Sequence, residues 1–245
     1  MIRLSVNVNK VATLRNSRGG AIPDVVTAVR TCVAAGAPGI TVHPRADERH
    51  IRSADVRAIA RELAPLRDRI EYNIEGDPRP GLLELVQEVL PHQCTLVPVR
   101  EGEVTSQGGW AFDTPRAELA SVVSYLVRAG VRVSIFVDAE PDPIRWAADL
   151  GAQRVELFTE PFARAFERGP DEARRCFEGF VAAAELAHSI GLGVNAGHDL
   201  DRQNLVLFRQ LPHLDEVSIG HALISEALFE GLDSAVKGYL AALRG

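Results

Sequence analysis

A cluster of basic side chains follows the short apolar run Gly39–Val42. His43, Arg45 and His50 all lie within eight residues of its end. Histidine exchanges protons near neutral pH, and arginine binds phosphate or carboxylate groups through paired N–H donors. Together these residue types predict proton transfer on an anionic substrate.

Two glycine–histidine pairs occur late in the chain, in the segments NAGH and SIGH. They place His198 after Gly197 and His221 after Gly220. Glycine lets the backbone approach a ligand closely, and a helix that begins there offers free amide groups to an anion. One such pair is a weak signal, but two in consecutive loops predict a phosphate site.

A carboxylate and a basic loop extend this set. Glu75, in the segment NIEG, ends an apolar run, and we interpret it as a catalytic carboxylate in preference to an ion-pair partner. The segment ATLRNSRGG carries Arg15 and Arg18 beside two glycines. Arginine suits phosphate binding, but a flexible surface turn explains the same residues equally well.

A recurring pattern of helix, glycine and apolar run indicates the elements that position these side chains. It appears in AAGAPGITV, RAGVRVSIF, DLGAQRVEL and SIGLGVNAG. Glycine past a helix end adopts a left-handed backbone, and a short run rich in Val and Ile is typical of a buried parallel strand. Strands are predicted at residues 4–7, 39–42, 70–74, 94–97, 131–137, 155–157, 193–196 and 216–219. Helices are predicted between them, including residues 24–35, 54–66, 82–90, 116–129 and 201–210.

Eight strands alternating with helices predict a single α/β domain over residues 1–245, a (β/α)8 TIM barrel. Residues 98–114 and 160–179 are predicted to be additions to the barrel, and we expect these additions to include helix. A doubly wound sheet is the alternative, but no glycine-rich nucleotide motif follows the first strand. The strands of a barrel end on one face, where the loops carry the chemistry. Polar residues at these predicted ends are Asn7, Asn9, Lys10, His43, Arg45, His50, Glu75, Asp138, Glu156, Thr159, Asn195, His198 and His221.

Composition bounds the possible partners. The 245 residues carry a net charge of −6, which argues against nucleic acid and anionic membranes as partners. The three cysteines are far apart and lack CxxC spacing, so we expect reduced thiols. The first residues lack the apolar core of a signal peptide, and no apolar run is long enough to span a membrane. We expect a cytoplasmic protein.

Several motifs together resemble the pyridoxine 5′-phosphate synthase family along essentially the whole chain. They are VNVNKVATLRNSRGG, GITVHPRADERHIRSADV, NIEG, LVPVREGEVTSQGG, VNAGH and IGHALI, in that order. The resemblance implies a TIM barrel that assembles as a homo-octamer without a metal or organic cofactor. It also implies two phosphorylated substrates, 1-deoxy-D-xylulose 5-phosphate and 3-amino-2-oxopropyl phosphate, which condense to pyridoxine 5′-phosphate with release of phosphate and water.

The resemblance also implies roles for individual residues. The acid–base residues of the family match His43, Glu75 and His198. Contacts to the phosphate of the amino ketone match Asn7, Arg18, Gly220 and His221. Contacts to deoxyxylulose phosphate match Arg45, His50 and Thr105. The segment 98–114, rich in small polar residues, is expected to close over the ligand.

Three positions depart from the family pattern. Many members have aspartate and histidine where this chain has Asn9 and Lys10, and many have glycine where it has Asp199. We predict that these three residues contact substrate in this chain. Two other functions stay open from the residues: a metal-dependent sugar-phosphate isomerase or aldolase, and a sensor that binds a phosphorylated ligand without turnover. The chain lacks the H-x-H spacing typical of the metal enzymes.

Overall fold

The computed structural model describes residues 1–99 and 106–244 of the chain. Eight parallel strands form a closed barrel in which each strand pairs with the next and the first pairs with the last. This confirms the predicted TIM barrel. The strands are β1 (Arg3–Asn7), β2 (Gly39–Val42), β3 (Glu71–Gly76), β4 (Gln93–Leu96), β5 (Arg132–Val137), β6 (Arg154–Phe158), β7 (Gly193–Gly197) and β8 (Leu214–Ile219).

Eleven α-helices lie in the described part of the chain. They are α1 (Asn9–Asn16), α2 (Val25–Ala34), α3 (Ser53–Leu63), α4 (Pro80–Val89), α5 (Arg116–Arg128), α6 (Pro141–Asp149), α7 (Glu160–Arg168), α8 (Pro170–Ser189), α9 (Leu205–Phe208), α10 (His221–Glu230) and α11 (Leu232–Arg244). A short 3-10 helix, Ala64–Leu66, follows α3. Three of these helices, α1, α7 and α10, are additions to the eight that alternate with the strands.

Two predicted elements were wrong in kind or length. The segment ATLRNSRGG, residues 12–20, is predicted as a loop, but its first five residues belong to α1, which runs from Asn9 to Asn16. The helix predicted over residues 201–210 is confined to α9. Its expected first turn is irregular because the Asp201 carboxylate accepts the backbone N–H groups of Gln203 and Asn204, and this local turn competes with the helix.

The apolar core lies between the barrel and its helices. Outward-facing strand residues such as Leu4, Ile40, Ile74 and Val217 are fully buried against the helices. Successive strand residues point to opposite faces, so the alternate residues face the barrel axis. The predicted strands were read as continuous apolar runs, but the inward face is polar.

Hydrogen bonds satisfy much of this polar interior. In the middle layer, Ser5 bonds to Thr41 at 2.6 Å, Asn73 donates to Thr41, and Thr95 donates to Asn73 at 3.1 Å, so the chain of bonds crosses four strands. Nearer the amino ends of the strands, Glu71 pairs with arginines of β1 and β5. Such pairing is required because an unpaired buried polar group is costly.

Among the described helices, none is both long and apolar enough to cross a membrane.

Candidate active site

A cavity of about 340 Å³ opens at the carboxyl ends of the strands. Its volume lies within the range of small-molecule sites. The cavity brings together most of the predicted site residues, from five of the eight strands or the segments after them. The predicted residues that line it are Asn7, Asn9, Lys10, His43, Arg45, His50, Glu75, His198, Asp199, Gly220 and His221.

His43 and Glu75 face each other across neighbouring strands. His43 Nδ1 lies 3.9 Å from Glu75 Oε2, and both side chains are almost fully buried. Burial, with the positive charges of His50 and Arg45 nearby, lowers the pKa of His43 to about 3. Burial raises the pKa of Glu75 to about 7, although Ser218 Oγ donates a hydrogen bond to its carboxylate at 3.3 Å. At neutral pH the imidazole is therefore an uncharged base, and the carboxyl group can gain or lose a proton.

A second buried carboxyl group, Glu156 of β6, also lines the cavity. Burial and the neighbouring Glu75 raise its pKa well above the ordinary value. From the sequence, Glu156 is predicted to lie at a strand end, but it is not among the predicted site residues. The signal was available, because Glu156 alternates with outward-facing Val155 and Leu157 and so faces the barrel axis.

Basic side chains form one wall of the cavity. Arg45 is buried, and Lys10, in the first turn of α1, is exposed. Burial and the charges of Arg45 and Lys10 lower the pKa of His50 to about 4. The backbone N–H of Ile51 donates to His50 Nδ1 at 2.9 Å, so the neutral ring carries its proton on Nε2. This wall offers positive charge and N–H donors to an anion.

Two asparagines, at the end of β1 and at the start of α1, tie this part of the chain to β3 and to the loop after β2. The Asn7 amide donates to Glu75 Oε2 at 3.4 Å. Asn9 Oδ1 accepts the backbone N–H of His43 at 2.9 Å. Asn9 therefore helps to position the backbone of the predicted base, in addition to lining the cavity.

The loop after β7 carries His198 and Asp199 on a left-handed backbone, with φ of 86° and 62°. His198 Nδ1 lies 2.9 Å from Asp199 Oδ2. Gly197, before them, also has a packing role. A Cβ atom added there would lie 2.4 Å from Glu156 Oε1, so this glycine makes room for the buried carboxyl group.

The loop after β8 opens the amino end of α10 towards the cavity. Gly220 precedes this helix, and no side chain caps its first amides. A Cβ atom at Gly220 would lie 3.0–3.2 Å from atoms of Asn7, so glycine is needed where β8 meets β1. Free amides at a helix amino end favour an anion.

Several predicted residues lie elsewhere. Arg18 is exposed after α1 and does not line the cavity, so its role stays a prediction. Arg15 is not a phosphate ligand here: it is buried and pairs with Asp55 at 2.5 Å. Asn195 lies deeper in the barrel, where its amide oxygen accepts from Arg154 at 2.8 Å. Thr105 lies outside the described residues.

An apolar wall completes the cavity and was missed by the sequence analysis. Val97, Phe136 and Phe158 form a small buried cluster of their own, and the first two line the cavity. Side chains of this kind pack against a flat ring. Within residues 1–99 and 106–244, no three His, Cys, Asp or Glu side chains converge as a metal site.

A protein-family model described as pyridoxal phosphate biosynthesis protein PdxJ matches residues 4–245. The chain belongs to the PdxJ family. The family resemblance read from the sequence motifs is confirmed.

Curated relatives of this PdxJ chain carry one functional name. The chain is 51% identical over 245 residues to the pyridoxine 5′-phosphate synthase of Bacteroides thetaiotaomicron, covering 100% of both chains. It is 51% identical over 251 residues to the enzyme of the same name from Xanthomonas axonopodis, covering 99% of this chain and 96% of the relative.

Solved structures of other enzymes share only the fold. Thiamine phosphate pyrophosphorylase from Pyrococcus furiosus matches with a TM-score of 0.65 and 15% identity, over 99% of this chain and 96% of that one. Phosphoribosylanthranilate isomerase from Thermotoga maritima matches with a TM-score of 0.61 and 12% identity, over 100% of both chains. These likenesses agree with the barrel architecture.

Proposed function

We propose that this PdxJ chain is a pyridoxine 5′-phosphate synthase that condenses 1-deoxy-D-xylulose 5-phosphate with 3-amino-2-oxopropyl phosphate, releasing phosphate and water. In reaction class it is a ring-forming transferase. The observation that carries the proposal is the pairing of His43 with Glu75 in the cavity of a chain half-identical to enzymes of that name.

Ring formation requires several proton transfers. The amine of one substrate forms an imine with the carbonyl group of the other and releases water, and enolisation, elimination of one inorganic phosphate, loss of further water and ring closure follow. His43, whose lowered pKa leaves it unprotonated at neutral pH, is free to accept a proton, and Glu75, with a pKa of about 7, suits exchange in both directions. His198 serves as a further acid. Glu156 has a raised pKa, which favours its protonated form, and in that form it donates a hydrogen bond to oxygen atoms of the intermediates.

Two phosphorylated substrates require two anion sites. The open amino end of α10, with Gly220, His221 and Asn7, is the site for the amino-ketone phosphate. Arg45, His50 and Lys10 also line the cavity and bind deoxyxylulose phosphate. Arg18 and Thr105 belong to these two sites by family resemblance.

Further properties follow from the same resemblance. The enzyme acts as one domain in a cytoplasmic homo-octamer and uses no metal or organic cofactor. Native mass spectrometry of the purified protein tests the assembly, for which eight copies are expected. The metal-dependent isomerase or aldolase is not favoured, because the family and its named relatives point to synthesis of pyridoxine 5′-phosphate.

The test is an assay with both phosphorylated substrates and pure protein. We expect a compound with the mass and ultraviolet absorbance of pyridoxine 5′-phosphate, and one inorganic phosphate for each molecule formed. Reactions that lack either substrate are the controls. Binding of the substrates without product would contradict the proposal and favour the sensor, and isomerisation of deoxyxylulose phosphate alone would favour the metal-dependent alternative.

A further inference from the structure

The loop after β7 holds its histidine in an unusual backbone conformation. His198 and Asp199 are consecutive non-glycine residues with positive φ, 86° and 62°. This region of backbone space is disfavoured for residues that have a Cβ atom. A strained backbone that persists in a cavity suggests a functional constraint on the side chains it directs.

The consequence of this backbone is a direct contact between the two side chains. Asp199 Oδ2 lies 2.9 Å from His198 Nδ1. A carboxylate can only accept at this distance, so Nδ1 carries the proton and Nε2 is the ring nitrogen that gains and loses one. The hydrogen bond from His198 lowers the pKa of Asp199, whose carboxylate is therefore ionised at neutral pH.

Other contacts fix the same ring and its backbone. The imidazole packs edge-on against Phe158, with the ring centroids 5.1 Å apart. Thr159 Oγ1 donates to the backbone carbonyl group of Gly197 at 2.8 Å and also to that of His198. The ring is therefore held by Phe158 and Asp199, while Thr159 anchors the backbone.

We infer that Asp199 is a positioning residue that pairs with His198 as a carboxylate–imidazole dyad. The inference rests on the proposed function and replaces the predicted contact between Asp199 and substrate. A carboxylate repels a phosphate dianion, whereas hydrogen-bonded to Nδ1 it fixes the tautomer and stabilises positive charge on a ring that acts as an acid. Glycine at this position cannot form the dyad.

Two substitutions at this site test the inference. Asp199→Asn removes the charge with little change in size, and Asp199→Gly removes the side chain and relieves the positive φ. Glu185→Gln is the matched control, because Glu185 pairs with His213 at 3.1 Å outside the cavity. Each variant is assayed for kcat and for KM with both substrates, and its histidine ring nitrogens are observed by ¹⁵N nuclear magnetic resonance.

We expect kcat to fall about 10-fold in both Asp199 variants, with KM unchanged or lower. The neutral His198 ring should carry its proton on Nδ1 in the wild type and shift towards Nε2–H in Asp199→Gly. Asp199→Gly should also unfold at a higher temperature, and Glu185→Gln should leave kcat unchanged.

Some results would overturn the inference. An unchanged kcat with an unchanged tautomer would make the dyad irrelevant. A higher KM at constant kcat would return Asp199 to the role of a substrate contact. The tautomer and the unfolding temperature can be measured without turnover, so failure of the dyad is distinguishable from failure of the proposed activity.

Discussion

Burial shifts the pKa values of the two central side chains of the cavity in opposite directions. It lowers the pKa of His43 to about 3 and raises that of Glu75 to about 7. Each shift favours the uncharged form, as desolvation requires. The result is a base that stays unprotonated at neutral pH beside a carboxyl group that titrates there.

The first prediction concerns this pair. His43→Ala and Glu75→Gln should each lower kcat by a factor of roughly 10²–10⁴, the usual contribution of general acid–base catalysis. Steady-state product formation measures the loss, and circular dichroism checks that each variant is folded. Glu185→Gln, a carboxylate that does not line the cavity, is the control. Turnover close to that of the wild type in either site variant would remove that residue from the mechanism.

Strand alternation explains how the elements present these groups. On β3, Glu71, Asn73 and Glu75 face the axis while Tyr72 and Ile74 pack against helices, and parallel neighbours keep the same register. The inward residues form a polar column whose upper end is the cavity floor. Where a strand has a buried polar face, the neighbouring residues must fit closely around each polar group on it.

The glycine that faces Glu156 gives a prediction for this packing. In Gly197→Ala the new Cβ atom would lie 2.4 Å from Glu156 Oε1 and 3.3 Å from the Ser218 carbonyl oxygen. We expect a loss of about 1–3 kcal/mol of unfolding free energy, as for other overpacked cores, together with lower turnover. Urea denaturation measures the stability.

A second glycine provides the control for this experiment. Gly179 lies within α8, and no heavy atom lies within 4 Å of an added Cβ atom. Gly179→Ala should therefore stabilise the protein by roughly 0.5–1 kcal/mol through its helix propensity. Equal stability changes in the two variants would contradict the assigned role of Gly197.

Part of the fold and part of the site could be predicted from the sequence. The strand order and the cavity residues His43, Glu75, His198 and His221 followed from strand ends and loop motifs. The role of Arg15 did not, because its partner Asp55 lies 40 residues away on α3. Nor did the pairing of His198 with Asp199, which depends on a left-handed backbone that few non-glycine residues adopt.

Closure of the barrel brings several carboxyl groups close together near its axis. Besides Glu75 and Glu156, Glu216 of β8 is buried and its Oε2 has no hydrogen-bond partner among the described residues. Burial and the nearby Glu71 raise the pKa of Glu216 to about 8. Folding therefore favours the protonated carboxyl groups.

This arrangement predicts how stability depends on pH. A carboxyl group whose pKa is raised by folding stabilises the folded state. This contribution is complete below the pKa of the unfolded state and is lost as the pH rises through the pKa of the folded state. The lowered pKa values of His43 and His50 change the stability only below about pH 6.5. Between pH 6.5 and about 8, the carboxyl groups therefore determine how stability changes with pH. The free energy of unfolding should fall across this interval, by at most about 1.4 kcal/mol per pH unit for each group.

Glu216→Gln isolates one contribution to that fall. The variant should lose less stability than the wild type between pH 6.5 and about 8, because its amide does not ionise. Chemical denaturation at several pH values measures both slopes. A wild-type stability that rises over the interval, or identical slopes in the two proteins, would contradict the protonated state assigned to Glu216.

In the proposed mechanism, side chains of the cavity move protons while the substrate amine forms the new bond. Lys10 is the side chain that could act otherwise, since it lines the cavity and a lysine amine can form a Schiff base with a sugar phosphate. We interpret its ammonium group as a contact to the phosphate or a hydroxyl group, and expect Lys10→Met mainly to raise KM for deoxyxylulose phosphate.

The most direct measurement uses 3-amino-2-oxopropyl phosphate labelled with ¹⁵N, with deoxyxylulose phosphate and wild-type protein, and a parallel sample treated with borohydride. We expect pyridoxine 5′-phosphate that carries the label in its ring, and a protein of unchanged mass after reduction. Failure to form labelled product, or a reduced adduct on the peptide that contains Lys10, would contradict it.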